Sequence, residues 1–399
     1  MRNVEPDKQT FSGRVQRVSP SPTVEFREWT AQLRAEGRSV IDLSIGEPDF
    51  DTPGFIVQAA EEAMENGFTH YVNSRGIDEL RLAIAEKLEK ENGLRYDPDR
   101  EILVTVGGKQ GLFSAVLALV EEGDEVLVME PTWVSYGPCI RLAGAEPVTV
   151  PLDVNDNFQV TEELLSSYVS DQTRLIILNS PNNPTGRVLS RAELEAVASL
   201  AKKHGLWVLS DEIYEKLVYD SREHVSIAGL PGMKASTVVI NGLSKAYAMT
   251  GWRLGYLAAP SDVVDSVLKI HQHSVTCAPS FGQKAAAVAL TGPQQALEAM
   301  ISEFEARRNL VLEGLGAIPG VKCPPIEGAF YAFPDISGLG LSSMELAEKL
   351  LLEGGVATVP GIAFGSSCDD HLRLCFASSQ EALREAMKRF SDVANTLVS

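Results

Sequence analysis

Short apolar runs alternate with helical segments through the middle of the chain. The apolar runs are rich in β-branched residues, and most are separated by stretches whose apolar residues recur at helical spacing, such as 191–203 and 262–273. Strands that alternate with helical crossovers predict an α/β fold with one mostly parallel sheet, covered on both faces. The predicted strands of this seven-stranded sheet are 102–106, 125–129, 147–151, 174–178, 206–209, 237–240 and 255–258.

The pattern differs on either side of this region. The remaining predicted helices cover residues 25–36, 55–66, 77–91, 109–120 and 294–315, with a final helix from Gln380. Isolated strands are expected at 329–333, 356–359 and 372–376, so the C-terminal part predicts a smaller α+β domain. The predicted boundaries are an N-terminal tail at 1–12, a small domain from 13–45 and 290–399, and a large domain at 46–289.

The composition narrows the expected partners. Among 399 residues, Lys and Arg total 35 and Asp and Glu total 54, which gives a formal net charge of −19. Such an acidic surface repels nucleic acids and anionic lipids, so any anionic substrate must be attracted by a local basic pocket. The five scattered cysteines predict reduced thiols, and no apolar run resembles a signal peptide or a membrane span. We therefore expect a cytoplasmic protein without a nucleic-acid or membrane partner.

The candidate chemistry begins at Lys245, which follows an apolar run and the break Asn241-Gly242. Arg253 precedes the next apolar run. A lysine amine can form a Schiff base with a carbonyl, and a guanidinium binds phosphate in two-pronged geometry. Together at the edge of a sheet they suit pyridoxal 5'-phosphate. An isolated lysine is usually a solvated surface charge, so this interpretation depends on the residues upstream.

Two upstream segments can contribute phosphate and ring contacts. Gly108, Lys109 and Gln110 lie in a glycine turn between a strand and a helix, where backbone N–H groups can hold a phosphate. The turn has neither the P-loop nor the dinucleotide-binding spacing, and a plain tight turn is the alternative. Trp133 follows the next strand, where its indole can stack on a planar cofactor or be half buried in a core.

Later strand ends supply polar groups of the right chemistry. Asn183 lies in the rigid turn N-S-P-N-N-P-T-G and can donate a hydrogen bond to a ring hydroxyl. Asp211 can pair with a protonated pyridine nitrogen, with a helix N-cap as the alternative, and Tyr214 can donate to the ring oxygen. Arg373 lies between two leucines of a small-domain strand, which suits a substrate α-carboxylate or, alternatively, a solvated edge of the sheet.

These motifs, in this order, resemble the class I/II aminotransferases of the fold-type I pyridoxal-phosphate enzymes, in particular the prokaryotic aspartate aminotransferases with S-K-A-[FY]-A-M-T-G-W-R. The resemblance extends from G-E-P-D-F-D-T-P to the last helix. It implies that Lys245 is the Schiff-base lysine, which also moves the α-proton, and that Asp211 and Tyr214 act with it. The other cofactor contacts it implies are Gly108, Lys109, Gln110, Trp133, Asn183, Ser244, Arg253 and Tyr71.

The resemblance also implies how substrate and subunits are arranged. Tyr71 matches a tyrosine that reaches the phosphate of the neighbouring subunit, which implies a homodimer with shared active sites. Relatives often carry a hydroxyl residue three positions before the lysine; here that residue is Gly242, and Ser244 is the candidate substitute. The substrate contacts it implies are Gly46, Lys109, Trp133, Asn183, Arg373 and Thr23.

Lys109 is the main clue to the substrate, because the matching lysine of the resembled branch meets a distal carboxylate. The expected reaction is amino transfer from L-aspartate or L-glutamate to 2-oxoglutarate or oxaloacetate by a ping-pong cycle. An aromatic or alanine aminotransferase and a pyridoxal-phosphate β-lyase remain alternatives, because they share these motifs. A non-catalytic ligand-sensing domain is disfavoured because few residues precede Gly46. The sequence His271-Gln272-His273 has no third ligand cluster, so no metal is expected.

Overall fold

The computed structural model describes residues 11–20 and 22–398, with side chains except for 22–27 and 398. Its α-helices are, in chain order, α1 (Gly13–Gln16), α2 (Pro22–Ala35), α3 (Gly54–Glu65), α4 (Asp78–Asn92), α5 (Gly107–Leu119), α6 (Tyr136–Ala143), α7 (Glu162–Ser166), α8 (Arg191–His204), α9 (Ser261–Ser274), α10 (Ser280–Thr291), α11 (Gln295–Gly316), α12 (Ser343–Lys349) and α13 (Gln380–Val398). Its strands are β1 (Ile41–Asp42), β2 (Ile102–Val106), β3 (Glu125–Glu130), β4 (Glu146–Pro151), β5 (Thr173–Asn179), β6 (Trp207–Asp211), β7 (Thr237–Gly242), β8 (Leu254–Ala258), β9 (Tyr331–Ala332), β10 (Val356–Ala357), β11 (Val359–Pro360) and β12 (Leu372–Cys375).

The main sheet has seven strands in the order β2-β8-β7-β6-β5-β3-β4. All neighbouring pairs are parallel except those of β8, which runs antiparallel to β2 and β7. The predicted mostly parallel, seven-stranded sheet is therefore confirmed, with strand ends that differ by one or two residues. As a result, the carboxyl ends of six strands and the beginning of β8 meet along one edge of the sheet.

Helix α8 shows how the local sequence fixes a crossover between two of these strands. The Ser190 hydroxyl accepts the backbone N–H of Glu193, and the Glu193 carboxylate accepts that of Ser190, which together form a capping box. The helix ends at Gly205, whose φ of 66° is favourable for glycine. Between these ends α8 buries Leu194 and Val197 in the apolar cluster that covers one face of the sheet. The helix thus leads the chain back to the start of β6, the strand that carries Asp211.

The C-terminal part contains two small sheets. Strand β1 pairs in parallel with β10, and the second sheet has the antiparallel order β11-β12-β9. The segment just before residue 46 is thus joined to the C-terminal part, as the predicted small domain requires. The boundaries of the two domains themselves stay a prediction.

Three predictions in the C-terminal half need correction. The expected strand at 356–359 is two strands, because β10 and β11 pair in different sheets. The expected strand at 329–333 is limited to β9, because Ala329 has a left-handed φ of 57° that interrupts an extended chain. Helix α10 was not predicted; it is rich in alanine and packs against α3 and α4.

No helix within the described ranges combines the length and the apolar character that crossing a bilayer requires.

Candidate active site

A cavity of about 500 Å³ opens at the edge of the sheet where the strand ends meet. Its walls come from the loops that follow β2, β3, β5, β6 and β7, from the segment before β8, from residues 45–47 after β1, and from β9 and β12 of the antiparallel small sheet. The predicted site residues that line it are Gly46, Gly108, Lys109, Trp133, Asn183, Asp211, Tyr214, Ser244, Lys245, Arg253 and Arg373. Residues from both ends of the chain are therefore brought together as the sequence predicts.

Among the predicted site residues whose side chains the structure describes, two do not line this cavity. The Gln110 side chain turns back along α5, where it accepts the Val106 N–H at 3.2 Å and donates to the Ser114 hydroxyl at 2.9 Å. Tyr71 lies on the surface with 85% of its area exposed. The side chain of Thr23 lies outside the described residues.

Lys245 is a partly buried lysine that lines the cavity. Its Nζ donates to the Gly46 carbonyl oxygen at 2.6 Å and lies 6.0 Å from the centre of the Tyr214 ring. Burial lowers the pKa of Lys245 to about 8, and Arg253 and Arg373 act in the same direction. About a tenth of the amine is therefore uncharged at pH 7, and this is the form that attacks carbonyl carbon.

Asp211 is a buried carboxylate at the carboxyl end of β6. Burial raises its pKa to about 6, although the Tyr136 hydroxyl donates to Oδ2 at 2.8 Å and the Ile213 N–H donates to Oδ1 at 3.3 Å. The residues after Asp211 form turns instead of a helix, so the helix N-cap alternative is wrong. A cation in the cavity would stabilise the ionised carboxylate that the protein alone disfavours.

Arg373 is a buried cation on β12, the central strand of its sheet, and only 3% of its surface is exposed. Its Nη2 donates to the Ser44 carbonyl oxygen at 2.5 Å and its Nη1 to Asn183 Oδ1 at 3.2 Å. Among the described residues its Nε has no hydrogen-bond partner and the guanidinium has no carboxylate partner. The solvated-edge alternative is therefore wrong, and the unneutralised charge suits an anionic ligand.

The turn at the start of α5 forms a cradle for an anion. Gly107 has a φ of 71°, and a Cβ there would lie 2.6 Å from Nη2 of Arg253. The guanidinium can therefore approach the turn only because residue 107 is glycine. Arg253 is held by the hydrogen bond from Nη1 to the Thr250 carbonyl oxygen at 2.9 Å. Free N–H groups at the helix start, with this guanidinium, provide the donors that a phosphate requires.

The structure also explains why residue 242 has no hydroxyl side chain. Gly242 ends β7 beside β8, and a Cβ on it would lie 2.9 Å from the Leu254 carbonyl oxygen. Any side chain at this position would push the two strands apart. Ser244 is buried and lines the cavity, so it can present a hydroxyl without this collision.

Lys109 is the remaining cation of the cavity wall. Its Nζ lies 4.6 Å from the centre of the Trp133 ring, and the residue as a whole is exposed. Partial burial of the amine lowers the pKa of Lys109, and the neighbouring Arg253 adds to that effect. An anionic group bound beside it would raise this pKa again.

Among the cavity residues that were missed from the sequence, three bond predicted site residues through their side chains. Tyr136, which donates to Asp211, lies three residues after Trp133, and this helical spacing was a usable signal. Asn179 donates from Nδ2 to the Asp211 carbonyl oxygen at 3.0 Å and accepts the Asn183 N–H at 2.8 Å. Tyr331 shares a hydrogen bond of 2.8 Å with Tyr214, and no local pattern around it indicated that contact.

A buried charge cluster lies behind the site. The Lys87 ammonium donates to the Glu215 carboxylate, and Asn241 Nδ2 donates to the same group at 2.8 Å. Although burial opposes ionisation, Lys87 lowers the pKa of Glu215 to about 2. Ligand atoms of Glu212, Glu215 and His224 come within 4.8 Å of one another. The ammonium of Lys87 already supplies the positive charge that a metal ion would bring there.

We expect Lys87→Met to lower the stability of the fold by about 3–5 kcal/mol, because Glu215 would remain buried without its cation. The loss should appear as a lower midpoint of thermal unfolding. Lys90→Met on the same helix is the matched control, since the exposed Lys90–Glu86 pair should contribute about 1 kcal/mol or less. The account would be wrong if both variants unfolded at the same temperature.

Comparison with known proteins gives consistent matches along the chain. The family model described as aminotransferase class I and II matches residues 38–390. An aspartate aminotransferase of Pyrococcus abyssi is 44% identical over 96% of this chain and 98% of its own length. An aromatic-amino-acid aminotransferase 2 of Thermococcus litoralis is also 44% identical, over 96% of this chain and 98% of its own. The solved structure of aspartate aminotransferase from Thermus thermophilus with maleate has a TM-score of 0.92 and 41% identity, covering 97% of this chain and 100% of that one.

Proposed function

The chain belongs to the class I and II aminotransferases, and we propose that it uses pyridoxal 5'-phosphate to move the amino group of L-aspartate or L-glutamate to a 2-oxo acid. The observation that carries this proposal is the charge arrangement in the cavity. A partly buried amine, a buried carboxylate of raised pKa and a buried arginine without an anionic partner among the described residues face one space; they belong to Lys245, Asp211 and Arg373. The cofactor and an amino acid would supply what each group lacks: a carbonyl for the amine, a protonated ring nitrogen for the carboxylate and a carboxylate for the arginine.

The cavity fits pyridoxal phosphate in its donor set. We infer that Asp211 pairs with the ring nitrogen, that Asn183 and Tyr214 contact the ring oxygen, and that Trp133 stacks on the ring. The phosphate contacts would be Arg253, the Ser244 hydroxyl and the backbone N–H groups of Gly108, Lys109 and Gln110. When bound, the cofactor supplies an electron-withdrawing ring that stabilises negative charge on the substrate α-carbon.

Lys245 has two roles in this proposal. Its amine is the attachment point for the cofactor carbonyl, and once displaced by substrate it accepts and returns the α-proton. Its lowered pKa of about 8 supports both roles, because an amine with the ordinary pKa of lysine would stay protonated at neutral pH. The Gly46 carbonyl oxygen, 2.6 Å away, holds the amine in the cavity.

The substrate would bind between two cations. Arg373 has unsatisfied donor capacity for the α-carboxylate, and Gly46 lines the same cavity. Lys109 is left for a distal carboxylate, because Lys245, Arg253 and Arg373 already have assigned partners. The related Thermus enzyme, whose structure was solved with the dicarboxylate maleate, supports this choice. Thr23 is a further candidate for this pocket. Gln110 is a further candidate for the phosphate turn.

An aromatic amino donor is the second candidate. The Thermococcus relative named for aromatic amino acids is as similar as the Pyrococcus aspartate aminotransferase. Trp133 also offers an aromatic face to the substrate, and Lys109 already has that ring as a partner at 4.6 Å. An aspartate aminotransferase would use Lys109 to bind the distal carboxylate of its substrate, whereas an aromatic aminotransferase would not need that contact.

Lys109→Ala is expected to lower kcat/KM for aspartate about 10- to 100-fold, mainly through KM, because the distal carboxylate would lose a charged donor. With alanine or phenylalanine as donor the change should stay within about threefold, since these substrates have no distal charge. Formation of the 2-oxo acid from each donor, with 2-oxoglutarate as acceptor, provides the measurement. Lys203→Ala on the exposed face of α8 is the control. An unchanged KM for aspartate would contradict the dicarboxylate proposal.

We also propose that two copies of the chain share their active sites. Tyr71 is 85% exposed and does not line the cavity of its own chain, which leaves it available to the phosphate site of a second copy. A small domain from residues 13–45 and 290–399 that packs beside the large domain at 46–289 is part of the same proposal. Its support is the pairing of β1 with β10.

A further inference from the structure

Tyr331 contacts several of the residues on which the proposed function depends. Its hydroxyl lies 2.8 Å from the Tyr214 hydroxyl, and its ring centre lies 4.7 Å from Cζ of Arg373. The hydroxyl also packs against Gly46, where any Cβ would collide with it. Gly46 in turn accepts the hydrogen bond from Lys245. Tyr331 therefore lies between the expected α-carboxylate site and the tyrosine expected to contact the cofactor.

The proposed role of Tyr214 decides which of the two hydroxyl groups donates. Each makes one hydrogen bond within the described part of the chain, and that bond is with the other. The Tyr331 ring faces the guanidinium of Arg373, which has donors only, and its hydroxyl lies beside Gly46. The proposed contact with the ring oxygen uses the Tyr214 proton, so in the loaded enzyme the Tyr331 hydroxyl is the donor of the pair.

We propose that Tyr331 is a positioning residue of the aminotransferase reaction, which donates to Tyr214 and so aims the Tyr214 proton at the ring oxygen of the bound cofactor. This inference rests on the proposed function and extends it to a residue that does not touch the ring oxygen. A hydroxyl that accepts one hydrogen bond becomes a stronger donor of its own. Tyr331 thus strengthens the contact that stabilises negative charge on the ring oxygen.

The two hydroxyl groups keep their protons in the working range of the enzyme. Burial raises the pKa of both Tyr214 and Tyr331 well above that of an exposed tyrosine. The charged or titratable groups that face the pair are Asp211, Lys245, Arg373 and Cys375. A pH-dependent change of the bound cofactor therefore reports on the strength of the hydrogen bond and not on ionisation of either tyrosine.

Tyr331→Phe removes the hydroxyl but keeps an aromatic ring against Arg373. With a weaker donor at Tyr214, negative charge on the ring oxygen is less stable, and the cofactor retains a proton to higher pH. We expect the midpoint of the pH-dependent visible absorbance of the loaded enzyme to rise by about 0.5 to 1 pH unit. We expect kcat to fall about 3- to 10-fold with the donor KM within about twofold.

Two comparisons separate this role from general structural damage. Tyr219→Phe removes another buried hydroxyl, which donates to the Ala329 carbonyl outside the cavity, and should leave the midpoint unchanged. In a Tyr214→Phe background, Tyr331→Phe should cause no further shift. A wild-type midpoint in Tyr331→Phe, or an equal shift in the Tyr214→Phe background, would overturn the inference. A purified protein with no visible absorbance would instead contradict the proposed cofactor, and the inference would fall with it.

Discussion

Lys245→Ala is expected to lower kcat about 10⁴-fold or more, because one change removes both the attachment point of the cofactor and the group that moves the α-proton. The small size of alanine should leave the fold intact, since Lys245 makes one hydrogen bond, to the Gly46 carbonyl, within the described residues. Single-turnover measurement of oxo-acid formation would give the rate even if it is very low. Lys203→Ala, on the exposed face of α8, should retain wild-type kcat.

The position of the Lys245 amine makes this prediction specific to that residue. Lys109 is also a lysine of lowered pKa on the cavity wall, so a general requirement for a nucleophilic amine could in principle be met there. The carbonyl oxygen of Gly46, however, holds the amine of Lys245 between Tyr214 and the α-carboxylate site. Full activity of Lys245→Ala would therefore exclude the assigned chemistry and not merely weaken it.

Asp211→Asn is expected to lower kcat about 10²- to 10³-fold, because a neutral amide cannot hold the proton on a pyridine nitrogen. The Tyr136 hydroxyl can rotate to accept from the amide, so the geometry should be retained. Steady-state kinetics with saturating cofactor would measure the loss. A variant with more than about a tenth of wild-type kcat would show that the ring nitrogen does not depend on this residue.

The same substitution should stabilise the protein without cofactor. Burial raises the pKa of Asp211 from its ordinary value of 3.8 to about 6, so the folded state holds a proton that the unfolded state has lost between these values. The unfolding free energy of the cofactor-free protein should therefore decrease by about 2 kcal/mol as pH rises from 4 to 6. Asp211→Asn has no charge to bury and should lack this decrease. Thermal unfolding at pH 8 would then show a higher midpoint for the variant than for the wild type, and an equal or lower midpoint would contradict the assignment.

The strand pattern was sufficient to predict that Asp211, Lys245 and Arg253 meet at one edge of the sheet. Asp211 and Lys245 are far apart in the chain, but each follows an apolar run, and parallel strands deliver their carboxyl ends to one edge. Arg253 reaches the same edge because β8 runs in the opposite direction, so that its beginning lies beside the ends of the others. The residue types then indicated the chemistry, because amine, carboxylate and guanidinium are each costly to bury without a partner.

Contacts between side chains that are far apart in the sequence could not be predicted from the strand pattern. Tyr331 lies on a strand of two residues whose sequence gives no sign that it will meet Tyr214. The Lys87–Glu215 pair is similar, since a lysine on a helix and a glutamate after a strand are usually solvated. The need for glycine at position 242 follows from the carbonyl oxygen of Leu254, which lies beside it in the folded chain. Such contacts depend on how helices and loops pack on the sheet, which residue spacing does not specify.

The most direct test of the account is to locate the residue that carries the cofactor. The purified enzyme would be saturated with pyridoxal 5'-phosphate, treated with borohydride to make the attachment permanent, digested, and mapped by mass spectrometry. The account predicts that the pyridoxyl group is found on the peptide containing S-K-A-Y-A-M and is assigned there to Lys245. Attachment to another lysine such as Lys109, or no attachment at all, would contradict it.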